Sequence, residues 1–518
     1  IPFGSSCTVT ETATGGADST PAPQVVTVSQ NDATSDVTTV NVTNSFSAGT
    51  LTITKLLAGA AAGEAWATGA KFVIAVNCGL TSTATFSQNV TFVGPGTTTL
   101  MNGANPRLFP VGTHCWAAET TTGGAATAAV DHYNFATGVV VTAQSDPTIA
   151  QGLGITATNT FPYAGLTVSK TVAGTTVAKD QDGNGLAYPT SVSFTAKCTF
   201  NNYTSTSTVL DNSFTLTGSG DGLWGSKTFD KLPSGASCTV TETTPAMSPN
   251  VTYQVTRTGQ TPISGTGTSR SFSLVTGGTT DNVAAFTNTF VVGKLQLTKQ
   301  VSPTGSVWAS APFTVSVLCT VPYPAAGTAV YAKTYTFSTS SASYNIALID
   351  NLPRGASCTT TESKAGGADS TTYSGRTQTI GQTTTVTTTV TNTFNTGSLT
   401  ISKALKVNGI ATTAEPWASA GYTMTLTCTR DVNGSTENVD LGKLSSGATQ
   451  VLNRANGYSY TWTGLPTTAV CTASETGIDY PSGTPAQPAP TVTYSPTQAV
   501  GVTIGNSTTG SQTVTNDF

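Results

Sequence analysis

The feature that most limits how this chain can fold is a repeat. The phrase SSCTVTET at Ser5 returns as THCWAAET at Thr113, ASCTVTET at Ala236, ASCTTTES at Ala356 and AVCTASET at Ala469. A turn containing proline, and mostly glycine, precedes each copy: IPFG, FPVG, LPSG, LPRG and LPTT. A second phrase recurs as VTNSF, ATNTF, FTNTF, VTNTF and VTNDF, carrying Asn44, Asn159, Asn288, Asn392 and Asn516. Successive asparagines lie 115, 129, 104 and 124 residues apart (159−44, 288−159, 392−288, 516−392), each the length of one β-sandwich domain.

Two more phrases complete the unit. LTITK, LTVSK, LQLTK and LTISK follow the first four asparagines and bring Lys55, Lys170, Lys299 and Lys403. KFVIAVNC, SVSFTAKC, PFTVSVLC and GYTMTLTC then lead to an upstream cysteine. One repeat is therefore a lysine strand, a first cysteine strand, a turn, a second cysteine strand with glutamate, and an asparagine strand. The repeats are expected at 50–161, 165–290, 294–394 and 398–518, with half a repeat at 1–46 that lacks its lysine. That half is expected to be the end of a copy in a longer array, rather than a site completed by another chain.

Composition agrees with an all-β reading. Thr, Ser, Val and Gly dominate the 518 residues, a bias toward strands and turns, and no long window has a 3.6-residue apolar period. The predicted fold is a rod-like tandem array of β-sandwiches. Charged residues are only 9% and the net charge is −4, which leaves no basic stripe for nucleic acid. No apolar run is long enough to span a bilayer. Two histidines, His114 and His132, leave little for metal or acid–base sites, and no cofactor is expected. The segment Lys179–Gly185, KDQDGNG, hints at a Ca²⁺ loop, but no glutamate follows at EF-hand spacing, and a polar hairpin tip with a Gly-rich turn is the favoured reading.

The repeat sorts the nine cysteines into Cys78 with Cys115, Cys198 with Cys238, Cys319 with Cys358, and Cys428 with Cys471, leaving Cys7 over. Each pairing closes a loop of about 40 residues, worth roughly 3–4 kcal/mol on a chain-entropy account. Zinc is a poor alternative, since no CxxC or histidine cluster accompanies them. Disulfides place the chain outside the cytoplasm.

Strand alternation exposes an oddity. In SGASCTVTETT, Cys238, Val240 and Glu242 share one face, so a glutamate points with the apolar residues. The same test aligns Leu51, Ile53 and Lys55; Leu166, Val168 and Lys170; Leu295, Leu297 and Lys299; and Leu399, Ile401 and Lys403. Val42, Asn44 and Phe46 align, as do Phe286, Asn288 and Phe290. Each repeat thus aims one Lys, one Glu and one Asn inward, and unpaired buried charge costs several kcal/mol. The three must meet. One reading is a buried ion pair with an asparagine partner. The other is chemical: burial favours a neutral amine and a protonated carboxyl, and an amine held against an amide carbonyl can displace ammonia.

The lysine strand, the LPxG…ET turn and strand, and the closing asparagine strand resemble the Cna protein B-type domains of Gram-positive adhesins and pilins, and the related repeats of large actinobacterial surface proteins. That resemblance implies inverse immunoglobulin-like sandwiches with an autocatalytic Lys–Asn isopeptide bond assisted by glutamate. It assigns Lys55–Asn159 with Glu119, Lys170–Asn288 with Glu242, Lys299–Asn392 with Glu362, and Lys403–Asn516 with Glu475. Glu11 and Asn44 would serve a lysine absent from this chain. A position usually aromatic in that family's GxY turn is cysteine here, so the disulfide adds to the family pattern.

A chain of this kind is expected to be an extracellular stalk or filament on a Gram-positive-type surface, pilus-like, partnered by its own copies or by further repeats. The alternative is an adhesin whose repeats bind host, matrix or other cells. Trp66, Trp308 and Trp417 precede the first cysteine strands and are expected as core anchors rather than a binding face. No Ser-His-Asp arrangement or phosphate loop supports a turnover enzyme.

Overall fold

The computed structural model describes residues 1–30, 37–145, 153–243, 246–338 and 343–518. The chain divides into two compact units: one of Ile1–Val172, Thr190–Thr244 and Asn250–Asn288, the other of Ala173–Pro189, Pro245–Pro249 and Thr289–Phe518. Strands dominate both. Among the described residues helix is limited to single turns such as Ala65–Thr68 and Trp417–Ser419. Runs of Thr and Val explain this: β-branched side chains pack well on a pleated surface and lose rotamer freedom in a helix.

Each full repeat is a sandwich of two sheets, immunoglobulin-like in its layers. The lysine strands are Thr52–Ala58, Tyr163–Ala173, Val292–Ser302 and Thr396–Val407. Each neighbours its asparagine strand, respectively Gly154–Thr160, Asn282–Thr289, Thr385–Thr393 and Thr509–Asp517, in one sheet. In the second, fourth and fifth repeats that pairing is parallel, so the first and last strands of a domain run side by side. The opposing sheet joins the two cysteine strands, for example Lys71–Gly79 with His114–Thr122 and Ser191–Asn201 with Ser237–Glu242.

The inward rows form the core. Leu51, Ile53, Leu166, Val168, Leu295, Leu297, Leu399 and Ile401 are fully buried, facing Phe72, Phe194, Phe313 and Tyr422 of the cysteine sheets. All four expected disulfides are present, and each joins residues directly opposite one another in neighbouring strands of one sheet. Cys7 is unpaired.

Two expectations are corrected. Among the described residues of the first repeat, only Ser6–Val9 and Gln24–Thr27 pair. Among the described residues the segment around Asn44 forms no ladder, and Val42 and Phe46 are exposed rather than inward. Of the tryptophans expected as core anchors, Trp308 is buried, whereas Trp66 and Trp417 are half-buried. Trp66 is half-buried; its carbonyl accepts from Asn202 Nδ2 of the following repeat at 3.1 Å, and its ring meets Phe200 edge-on. Trp308 is buried, but its Nε1 donates to Gly464 O at 2.9 Å and its carbonyl accepts from Arg430 at 2.6 Å, both in the fifth repeat. These two rings cap junctions between successive repeats. Trp417 packs on Phe518 within its own repeat.

Candidate functional site

The site is built by the period of two. Lys55 sits opposite Ala157 in the parallel ladder, and Asn159 lies two residues further on the same face. The offset repeats in the fourth and fifth repeats, where Lys299 faces Val390 before Asn392 and Lys403 faces Val514 before Asn516. A two-residue diagonal on one face is a separation that a lysine side chain spans. Lys55, Lys170 and Lys299 have no exposed surface, and neither do Asn159, Asn392 and Asn516.

The glutamate arrives from the opposite sheet. Lys55 Nζ lies 3.6 Å from Glu119 Oε1, Lys170 Nζ 3.1 Å from Glu242 Oε2, Lys299 Nζ 3.2 Å from Glu362 Oε1, and Lys403 Nζ 2.8 Å from Glu475 Oε2. Each asparagine donates its side-chain nitrogen to Oε1 of the same glutamate: Asn159 at 3.1 Å, Asn288 at 2.5 Å, Asn392 at 3.1 Å and Asn516 at 2.7 Å. Thus all four sets of residues named from the sequence are brought together. Asn44 donates to Glu11 Oε1 at 2.7 Å with no lysine present.

A detail invisible in the alternation holds the glutamates. In the second, fourth and fifth repeats the ladder slips by one residue just past Glu119, Glu362 and Glu475. The extra residue is Thr120, Ser363 or Thr476, and its hydroxyl donates across the strand to the carbonyl of Val73, Thr314 or Thr423. A bulge re-aims the side chain beside it. That gives the ET or ES phrase a reason: the hydroxyl closes the ladder that the bulge opens. Aromatic rings from the first cysteine strands complete three of the sites. The ammonium of Lys55 lies 4.6 Å from the ring centre of Phe72, Lys299 4.8 Å from Phe313, and Lys403 4.8 Å from Tyr422. These rings were legible as the aromatic six residues before the cysteine in KFVIAVNC, PFTVSVLC and GYTMTLTC.

Burial sets the electrostatics. Desolvation draws Lys55, Lys170, Lys299 and Lys403 down from about 10.5 to about 8, with the neighbouring glutamate opposing the shift. Desolvation likewise raises the carboxyls of Glu119 and Glu242, opposed by the lysine charge and the asparagine hydrogen bond. The amide of each asparagine is pinned. Asn159 and Asn392 also donate to the carbonyls of Thr122 and Ala365, so both hydrogens of the nitrogen are engaged. The side-chain oxygens of Asn159, Asn288 and Asn516 are buried without a hydrogen-bond partner.

Among the described residues no cluster of three or more His, Cys, Asp or Glu is gathered to hold a metal. In the KDQDGNG loop the Asp180 carboxylate accepts from the backbone of Asn184 and Asp182 and from the Asn184 side chain, the arrangement of a polar turn closed on itself. Among the described residues no helix is long and apolar enough to cross a membrane.

A family model described as "Domain of unknown function (DUF5979)" matches residues 1–47, 51–162, 166–291, 295–395 and 399–518. No curated protein matches the chain significantly. Among solved structures it is similar to two B repeat units of the collagen-binding protein Cna of Staphylococcus aureus, with 13% identity over 91% of this chain and 100% of that one, at a TM-score of 0.15. It is similar to the major pilin of Streptococcus pyogenes, with 15% identity over 46% of this chain and 97% of that one, at a TM-score of 0.26. A Mobiluncus mulieris adhesin containing intramolecular disulfide, isopeptide and ester bond cross-links is a third, with 18% identity over 43% of this chain and 85% of that one, at a TM-score of 0.19.

Proposed function

The chain belongs to the DUF5979 family, its five matches running through nearly all of its length, and from that premise we propose that it is the shaft of an extracellular surface structure whose domains crosslink themselves. The domains are 1–46, 50–161, 165–290, 294–394 and 398–518. In each of the four complete ones a lysine and an asparagine join in an isopeptide bond, with the glutamate carrying protons. The observation that carries this reading is the fourfold recurrence of a buried lysine and a buried asparagine amide on one carboxylate.

The chemistry follows from where the atoms sit. The lysine gives its proton to the carboxylate, leaving a neutral amine and a neutral acid, a state that burial favours over an ion pair in low dielectric. The amine attacks the asparagine side-chain carbon. The glutamate passes a proton to the amide nitrogen it already touches and takes one from the attacking nitrogen. Ammonia leaves, an amide remains, and the acid is restored. The gain comes from orientation, since the reactants are held on adjacent strands inside a packed core. It is a single turnover without a cofactor.

The mechanical consequence supports a load-bearing role in the literal sense. The bond ties the first strand of a domain to the last, the points at which tension enters and leaves. Pulling then bypasses the hydrogen-bonded ladder. The disulfide shortens what remains extensible, and linkers of a few residues such as TFPYAG and TFNTGS limit slack. The tryptophan-capped junctions at Trp66 and Trp308 oppose bending at those joints.

Intact-mass measurement after full reduction tests the proposal. The chain should be lighter than its sequence by four molecules of ammonia. A mass equal to the plain sequence would leave four buried ion pairs and remove the crosslink.

A further inference from the structure

One of the four sites carries an extra hydroxyl. Thr371 Oγ1 lies 3.1 Å from Glu362 Oε2 and 3.0 Å from Asn392 Oδ1. It is directly opposite Asn392 in the antiparallel ladder between Ser370–Ser374 and Thr385–Thr393. The residues opposite Asn159 and Asn516 are Ala128 and Val492, and the third repeat has Val251 at the matching place, two residues before Tyr253 as Thr371 is before Tyr373. Accordingly the asparagine oxygens of those three repeats have no donor, whereas that of Asn392 does.

A count of hydrogens defines what the threonine does. Three oxygens stand in a row: Glu362 Oε2, Thr371 Oγ1 and Asn392 Oδ1. If the carboxylate is ionised, one hydroxyl hydrogen must serve two acceptors, and one contact goes unmade. If Oε2 carries a proton, the carboxyl donates to the hydroxyl and the hydroxyl donates to the amide oxygen, and every contact is satisfied. The other carboxylate oxygen, Oε1, meanwhile holds Lys299 Nζ at 3.2 Å and Asn392 Nδ2 at 3.1 Å. The two oxygens of Glu362 are therefore divided between the two ends of the amide.

We propose that Thr371 is a catalytic residue of the fourth repeat, relaying the proton of Glu362 to the carbonyl oxygen of Asn392 as the Lys299 amine attacks. This rests on the crosslinking reading above. Starting from the neutral pair, the bond from Lys299 Nζ to Asn392 Cγ forms. The hydroxyl proton of Thr371 moves to Oδ1, and the Oε2 proton of Glu362 refills the hydroxyl. The resulting carboxylate removes a proton from the attacking nitrogen through Oε1 and delivers it to Nδ2. Collapse of the intermediate re-forms the carbonyl, expels ammonia, and returns the oxygen's proton through Thr371 to Glu362. One amide and one ammonia result, and every proton is accounted for. In the other three repeats the developing charge on oxygen has no such donor.

The test follows crosslinking in time in the full chain, synthesised in a cell-free system under oxidising conditions, quenched with acid at intervals and digested to quantify each crosslinked peptide pair. Removing one donor to a developing oxyanion slows reactions by about 10²–10³-fold. Thr371→Val should slow Lys299–Asn392 bond formation by about 10²-fold, while the other three repeats keep their rates as internal clocks. Thr371→Ser should restore the rate. Valine occupies the matching place in the third and fifth repeats, so the sandwich accommodates it. An unchanged rate in Thr371→Val, with all four bonds forming in the wild-type chain, would overturn the relay alone. Failure of the wild-type chain to release ammonia from any repeat would overturn the crosslinking reading, and the relay with it.

Discussion

Asn288 Nδ2 donates to Glu242 Oε1 at 2.5 Å, while the oxygen of the same amide is buried and accepts from nothing. The nitrogen that would leave as ammonia is the end that faces the acid. An unsatisfied buried acceptor costs about 1–3 kcal/mol, so the amide is held in a state that a packing role alone would not select. The same imbalance at Asn159 and Asn516 makes it common to three of the four complete repeats, the fourth having Thr371 as donor.

Removing the acid in one repeat separates the two readings of that contact. Glu242→Ala should reduce the deficit against the chain's own sequence mass from four ammonia molecules to three, with the retained ammonia confined to the peptides containing Lys170 and Asn288. It strands a lysine that has no exposed surface. Loss of a buried charge partner costs about 3–5 kcal/mol, to which loss of the crosslink adds, so the third repeat should unfold first in urea. A deficit that stays at four ammonia molecules would remove Glu242 from the chemistry.

The pH dependence has a definite sign. The reactive lysine and glutamate must together hold one transferable proton. In the third repeat the Glu242 carboxyl is raised by burial and Lys170 is lowered to about 8. In acid both groups are protonated and no nucleophile exists. Above about pH 8 the last proton leaves and the acid is lost. The rate of Lys170–Asn288 bond formation, followed by mass in timed samples, should pass through a plateau and fall as pH rises beyond 8. A rate that climbs steadily from pH 8 to 10 would mean that only the free amine matters. Stability gives an independent check in Asn288→Ala, which cannot crosslink. Between about pH 8 and 10.5 its unfolded lysine binds more protons than its folded one, so stability should rise with pH across that window.

Much of this site is legible in the sequence, because a strand has a side-chain period of two and the chain carries four copies of the pattern. That logic put Lys170, Glu242 and Asn288 on inward faces, where they are found. It could not place the bulge after Glu119, Glu362 and Glu475, since a ladder slip depends on the partner strand. Thr120, Ser363 and Thr476 looked like ordinary surface positions for the same reason. Thr371 was hidden differently: it matters because the other repeats lack a hydroxyl there, and a search for what recurs passes over what does not. Trp66 packs on Phe161 of its own repeat and also on Phe200 of the next, and Trp308 is buried but bonded to the fifth repeat. A local apolar pattern does not say which neighbour will cover it.

The disulfide should contribute independently of the crosslink. Cys198 and Cys238 are separated by 40 residues in sequence and lie across one ladder. Cys198→Ala with Cys238→Ala removes a loop constraint worth roughly 3–4 kcal/mol on the chain-entropy account. The urea midpoint of the third repeat should fall, with the Lys170–Asn288 bond still forming. If that bond fails to form, the disulfide is needed to align Glu242, four residues beyond Cys238 in the same strand.

A pair of glycines distinguishes backbone strain from pressure on the site. Gly174 and Gly183 both have positive φ, +78° and +83°. A methyl group on Gly174 would press on the carbonyl of Phe290, whereas one on Gly183 would meet nothing within 4 Å. Alanine at either position suffers the left-handed backbone penalty, about 1–2 kcal/mol. Only at Gly174 must the chain also move, and Phe290 is two residues beyond Asn288 on the same inward face. Gly174→Ala should therefore destabilise the third repeat by more than Gly183→Ala does. It should also slow the loss of ammonia from that repeat, because the amide is displaced from a geometry in which an error of about 1 Å can cost 10²-fold. Equal crosslinking rates in the two variants would show that Asn288 holds its position independently of the turn beside Phe290.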